Sequence, residues 1–134
     1  MIRSLSDESF EVLYTLAGNP NASEHTLWEL VSDRFPQIRA EVAGNPNATL
    51  EMLEVLSDDT EPIVLNAVVR NPKISTELLT KFADSIHPSV VESVASNPKT
   101  PIDVLRRLRS CSTSSWVRSK AKETLRELMG RGQL

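Results

Sequence analysis

The sequence predicts an all-α solenoid of short two-helix repeats, and three observations carry that prediction. The six letters AGNPNA stand at 17–22 and return unchanged at 43–48. Seven of the eight prolines fall into two columns spaced 26 residues apart, Pro20, Pro46, Pro72 and Pro98 in one, Pro36, Pro62 and Pro88 in the other. Aromatic residues make up 4% of the chain and glycines number four, a balance that favours helices over sheets.

Other columns keep the same spacing, as a structural repeat requires. Asn19, Asn45, Asn71 and Asn97 form one and Leu27, Leu53, Leu79 and Leu105 another. Val12, Ile38, Val64, Val90 and Trp116 form an apolar column, and so do Leu16, Val42, Val68 and Val94. Ala17, Ala43, Val69, Ala95 and Ala121 form a third. Trp116 replaces an aliphatic residue here and is expected in the core.

Each repeat can be read from its start. After Asn-Pro comes a residue suited to cap a helix: Ser23, Thr49, Ser75, and in the last unit Thr100 with Pro101 at the first helical position. The helix that follows has apolar residues one turn apart, such as Leu27 with Leu30 and Val31, or Leu78 and Leu79 with Phe82. Pro36, Pro62 and Pro88 mark the start of a second short helix, where a missing N–H costs no helical hydrogen bond. That helix runs into the next Asn-Pro, whose proline pushes the preceding Asn out of helical geometry. AGNPNA is therefore the hinge between successive units, with small residues expected to allow close approach.

Two helices of about two turns cannot bury their apolar faces alone, so the units must stack. One domain, 1–134, is expected: a partial repeat at 1–18, full repeats at 19–44, 45–70 and 71–96, and a last repeat with a capping helix at 97–134. In SSWVRSKAKETLRELMGRG, Val117, Ala121, Leu125 and Leu128 line one side of a longer helix. Arg118, Lys122, Arg126 and Glu127 line the other, and Gly130 ends it.

VVRNPKISTELLTKFADSIHPSV and AEVAGNPNATLEMLEVLSDDTEPIV together resemble the variant leucine-rich repeat, an all-helical unit of bacterial proteins. The resemblance lies in the Asn-Pro pair, the paired apolar residues of the first helix and the late proline, and it covers nearly the whole chain. It implies a right-handed superhelix of alternating helices, HEAT-like in its pairing, with a second helix that is either α or 3₁₀. One member of that family carries a Cys-ligated iron–sulfur cluster; this chain lacks those cysteines, so that function does not carry over.

Cys111 is the only cysteine, which excludes an intrachain disulfide, a Cys-ligated zinc site or an iron–sulfur cluster built from this chain alone. No apolar run approaches the roughly 18 residues of a membrane span, and MIRSLSDESFEV lacks the apolar core of a secretory signal. The expected location is cytoplasmic. His25 and His87 stand in neither metal-ligand nor triad spacing and read as surface residues. Asp58, Asp59 and Glu61 lack the Gly and spaced ligands of a calcium loop and read as a solvated turn. With no phosphate loop, nucleophile elbow or paired catalytic carboxylates, a non-enzyme without metal or cofactor is expected.

Charge is unevenly distributed. Residues 1–96 hold 15 acidic and 6 basic side chains, a net of −9, whereas 97–134 hold 3 acidic and 9 basic, a net of +6. Arg106, Arg107, Arg109, Arg118, Lys120, Lys122, Arg126 and Arg131 supply most of the positive end. Trp28 shares a column with Glu54, Thr80 and Arg106 and is expected to point outward, either as an interface anchor or packed on the partial first repeat. Arg39 shares one with Leu65, Val91 and Val117 and sets a charge beside the acidic region. Two readings follow. In the first, the chain is a protein-interaction module, with Trp28, Arg39 and the basic residues as candidate contacts and self-association open to it. In the second, Arg106, Arg107, Arg109, Arg118 and Lys122 grip a nucleic-acid backbone.

Overall fold

The computed structural model describes residues 8–130, and all regular structure among them is helical. In chain order the elements are α1 Phe10–Gly18, α2 Glu24–Leu30, α3 Pro36–Gly44, α4 Leu50–Leu56, α5 Pro62–Arg70, α6 Thr76–Phe82, α7 Pro88–Ala95, α8 Ile102–Cys111 and α9 Ser115–Gly130. Helices α2, α4, α6 and α8 begin 26 residues apart, and so do α1, α3, α5 and α7. Residues 1–7 of the partial first repeat, and Arg131, lie outside the described residues.

The chain divides into two compact units just before α6, one ending at Ile74 and the other beginning at Ser75. In the first, α3 packs between α1 and α5, while α2 and α4 flank this row. Leu27, Ile38, Val42, Met52, Leu53 and Val64 are wholly buried there, each leucine contributing about 1.5–3 kcal/mol by its removal from water. In the second, α9 packs on α7 and α8, and α6 packs on α7. Its core holds Leu79, Val90, Val94, Leu105, Val117, Ala121 and Leu125.

Helix starts are set chemically. Ser9, Ser23, Thr49 and Ser75 each accept a hydrogen bond from the backbone N–H three residues on, satisfying a donor that the first turn leaves orphaned. The second helices α3, α5 and α7 have proline in their first turn and no side-chain cap. An earlier side chain sets their approach: Asp33, Asp59 and Ser85 accept from the N–H of Phe35, Glu61 and His87, two residues on. These helices are α rather than 3₁₀; at eight or nine residues they exceed the short runs that 3₁₀ geometry sustains.

The Asn column does more than punctuate. Asn45, 1% exposed, accepts from Asn47 N–H at 2.8 Å and donates Nδ2 to the carbonyls of Ala17 at 2.7 Å and Asn19 at 2.9 Å, at the preceding hinge. Asn71 donates likewise to Ala43 O at 2.7 Å. A parallel ladder runs two residues on, where Asn47 Nδ2 reaches Pro20 O and Ala22 O. Lys73 Nζ reaches Pro46 O and Ala48 O in the same way. In the second copy of AGNPNA both Asn side chains thus bind backbone carbonyls at the end of α1 and in the loop after it, whereas in the first copy Asn19 accepts the local bond from Asn21 N–H. Among the described residues no buried side-chain nitrogen or oxygen lacks a partner.

Several expectations need correction. Trp116 is 56% exposed. The span from the start of α8 to its turn is one residue longer than that from α6 to its turn, so Ser112 accepts from Ser114 N–H 27, not 26, residues after the Ser85 turn. Val117, 2% exposed, therefore takes the place of Ile38, Val64 and Val90, and Trp116 falls in the outward column of Gln37, Ile63 and Ser89. The same shift makes Thr124 the ladder residue: its Oγ1 donates to Ala95 O at 2.6 Å. Thr100 does not cap α8; it turns inward, 2% exposed, and donates to Val94 O, leaving Pro101 at the cap. Helix α7 ends at Ser96 rather than at the Asn. Ala17, Ala43 and Ala48 are fully buried as close approach requires, but a Cβ on Gly44 would meet only open space.

Candidate functional site

Helix α2 buries Leu27 and Leu30, and helical geometry turns the residue between them outward. Trp28 is 40% exposed there, and its register partners Glu54, Thr80 and Arg106 are exposed too. In α4 the burial of Met52, Leu53 and Leu56 likewise leaves Val55 51% exposed. The other exposed positions of α2 and α4 carry Glu24, His25, Glu29, Leu50, Glu51 and Glu54, and His25 Nε2 lies 3.0 Å from Glu29. Trp28, Leu50 and Val55 are thus exposed apolar side chains on helices whose remaining exposed positions are mostly carboxylates. A cleft of ≈ 300 Å³ is lined by Leu13, Glu29, Leu30, Asp33, Arg34 and Phe35 among others. The Arg34 guanidinium lies 4.8 Å from the Phe35 ring centre, and the Phe10 ring meets Phe35 edge-on.

Arg39 is not a free charge of this surface. Its Nε donates to Asp59 Oδ2 at 2.7 Å and its Nη2 to Asp59 Oδ1 at 3.2 Å, while Nη1 donates to Asp33 O at 2.6 Å. The two side chains are 16% and 10% exposed, so the pair ties one repeat's turn to the next. Asp59 is consequently no solvated turn residue, and the acidic cluster read at 58–61 is divided.

The basic residues of α8 and α9 separate in the same manner. Arg107 pairs with Asp84 at 2.8 Å in a largely exposed contact. Arg118 Nη1 donates to Ser112 O at 2.7 Å. Lys120 lies 3.8 Å from Glu123 and 5.0 Å from the Trp116 ring centre. Arg106, Arg109 and Lys122 are exposed and enter no ion pair among the described residues. Sequence reasoning missed the partners of Arg39, Arg107 and Arg118 because each lies in another turn or helix.

On α1, Tyr14 donates to the Glu41 carboxylate of α3; that hydrogen bond, then the carboxylate's charge and then burial raise the phenol above its ordinary value. Glu41 Oε2 also occupies the space beside Gly18, where a Cβ would lie 2.9 Å away. Among the described residues no three His, Cys, Asp or Glu side chains group as metal ligands. Cys111 is exposed and free. No helix of the described residues is long and apolar enough to cross a membrane.

No curated protein and no solved structure matches the chain. Residues 12–69, from α1 through α5, match the family model of the Leucine Rich Repeat Variant domain. This stretch holds the buried Asn45 and the proline-started helices α3 and α5, and over residues 12–69 the chain is similar to the Leucine Rich Repeat Variant domain.

Proposed function

We propose that the chain is a non-catalytic interaction module of the cytoplasm, a helical-repeat scaffold or adaptor that holds a partner protein on the outer face of α2 and α4. The observation that supports it is Trp28, 40% exposed on a helix whose other apolar residues are buried. Burial of such an aromatic by a partner is worth about 2 kcal/mol or more. Val55 extends the apolar contact, and the surrounding glutamates favour a partner with basic residues at its rim. A recognition surface of this kind involves no bond making and uses no cofactor.

The test is affinity capture from a lysate at physiological salt with the wild type and Trp28→Ala, each with and without nuclease. A protein retained by the wild type after nuclease, and lost by Trp28→Ala at unchanged thermal stability, supports the reading. Equal retention by both proteins refutes it.

A second reading draws on one specific observation, the exposed and unpaired Arg106, Arg109 and Lys122. These could neutralise phosphates of a nucleic acid, with an affinity that falls steeply as salt rises. Retention that disappears on nuclease treatment, and with Arg106→Glu/Arg109→Glu, would favour this reading.

A further inference from the structure

Asp33 and Asp59 hold the same place in successive repeats, 26 residues apart, and close the same turn: each accepts from the N–H two residues on, Phe35 for Asp33 and Glu61 for Asp59. Asp59 also takes the Arg39 guanidinium on both carboxylate oxygens, Nε at 2.7 Å and Nη2 at 3.2 Å. Asp33 offers Arg39 only its backbone carbonyl, and its half-buried carboxylate enters no ion pair among the described residues. The difference lies at one position. Arg39 stands 20 residues before Asp59; the residue 20 before Asp33 is Leu13, which brings no donor.

Leu13 and Asp33 line the cleft of ≈ 300 Å³ together with Leu30 and Phe35, all within the first compact unit. That volume is at the lower end of the range of about 300–1,000 Å³ for small-ligand sites, which suits one long side chain. The charged lining is Glu8, Glu29 and Asp33 against Arg34, and the Arg34 guanidinium is engaged on the Phe35 ring, 4.8 Å from its centre. A partly apolar cleft of net negative charge suits a cation on an aliphatic stem, which packs its methylenes while its head meets the carboxylate. Arginine fits better than lysine, since the planar guanidinium meets both oxygens at once, as Arg39 does on Asp59.

We infer that this cleft receives an arginine side chain of a partner protein, whose guanidinium takes Asp33 as Arg39 takes Asp59. The partner supplies from outside the donors that position 13 does not supply from within. Its stem lies along Leu13 and Leu30, and the acidic lining favours its charge. Such a contact rests on the reading of the chain as an interaction module but not on Trp28. A cleft that binds no arginine leaves the contact at Trp28 standing, and a Trp28→Ala variant that retains every partner leaves the cleft standing.

Titration of the isotope-labelled full chain with the blocked peptide acetyl-Gly-Arg-Gly-amide, followed by amide chemical shifts at about 20 mM salt, tests this. Saturable shifts should centre on the amides of Leu30, Asp33, Arg34 and Phe35, and acetyl-Gly-Lys-Gly-amide should bind about tenfold more weakly. Asp33→Asn keeps an oxygen for the Phe35 N–H, and so the turn, yet should weaken the arginine peptide by about tenfold or more. Leu13→Arg, with far-UV circular dichroism confirming that it folds, should place a guanidinium in the cleft from within and abolish peptide binding. If Leu13→Arg fails to fold, Asp33→Asn decides alone. Absence of saturable shifts up to about 10 mM arginine peptide overturns the inference, as do shifts that centre elsewhere. Equal affinity for the two peptides, or for wild type and Asp33→Asn, overturns it equally.

Discussion

Replacing Asn45 by alanine removes three hydrogen bonds: two donated to the carbonyls of Ala17 and Asn19 and one accepted from the Asn47 N–H. The carboxamide is 1% exposed, so water does not readily replace it. A net hydrogen bond contributes about 0.5–1.5 kcal/mol, and a buried group left unsatisfied costs about 1–3 kcal/mol, so Asn45→Ala should destabilise by about 3 kcal/mol. The protein contains its own control. Asn19 occupies the same column and accepts the same local bond from Asn21 N–H, but it is exposed. Asn19→Ala should therefore cost below about 1 kcal/mol. Urea unfolding followed by circular dichroism measures both. Equal losses for the two variants would refute the ladder as a source of stability and reduce the Asn column to turn chemistry.

The remaining predictions concern charge, titration and register. Arg39→Ala breaks a nearly buried bidentate pair and should cost about 2–4 kcal/mol in the same assay, whereas Arg107→Ala, in an exposed pair, should cost less than about 1 kcal/mol. Tyr14 is the only tyrosine, so phenolate absorbance reads it alone. Its folded-state value is raised by Glu41, so its titration should fall above the ordinary value of about 10 and return toward it in Glu41→Gln. The sign for stability follows: the contribution is fully present below the unfolded value and is lost as pH climbs through the raised one. Val117→Ala should cost about 2 kcal/mol and Trp116→Ala less than about 1 kcal/mol, the reverse of what a strict 26-residue register implies.

How much of this was legible in the sequence depends on where each residue's partner lies. The proline columns located α3, α5 and α7 because proline acts on its own backbone. The polar caps located α2, α4 and α6 for the same local reason. The Asn ladder was visible only as punctuation, since its acceptors are backbone carbonyls some 28 residues away that carry no letter of their own. Its second rung was hidden further by chemistry, because Asn47 and Lys73 differ as letters yet serve the same pair of carbonyls. Trp116 was misplaced because the column was extended at 26 through a one-residue insertion. A signal existed: the Ser112 and Ser114 pair repeats the Ser85 and His87 turn at 27 residues.

The ladder also explains why charge counted along the chain is a poor index of a binding surface here. Stacking rests on aliphatic columns and on polar side chains aimed at the preceding repeat's backbone, so neither constrains the outward columns. The column of Trp28, Glu54, Thr80 and Arg106 shows the result, with an aromatic, an acid, a hydroxyl and a base at four equivalent exposed positions. Some charges are drawn back into the structure: Arg39 to Asp59, Arg107 to Asp84, Arg118 to its own turn carbonyl. A substitution there reports on stability as well as on binding, so loss of a partner would be ambiguous. Among the described residues Trp28, Arg106, Arg109 and Lys122 enter no such bond, and at these four positions a lost interaction with an unchanged unfolding curve can be assigned to recognition itself.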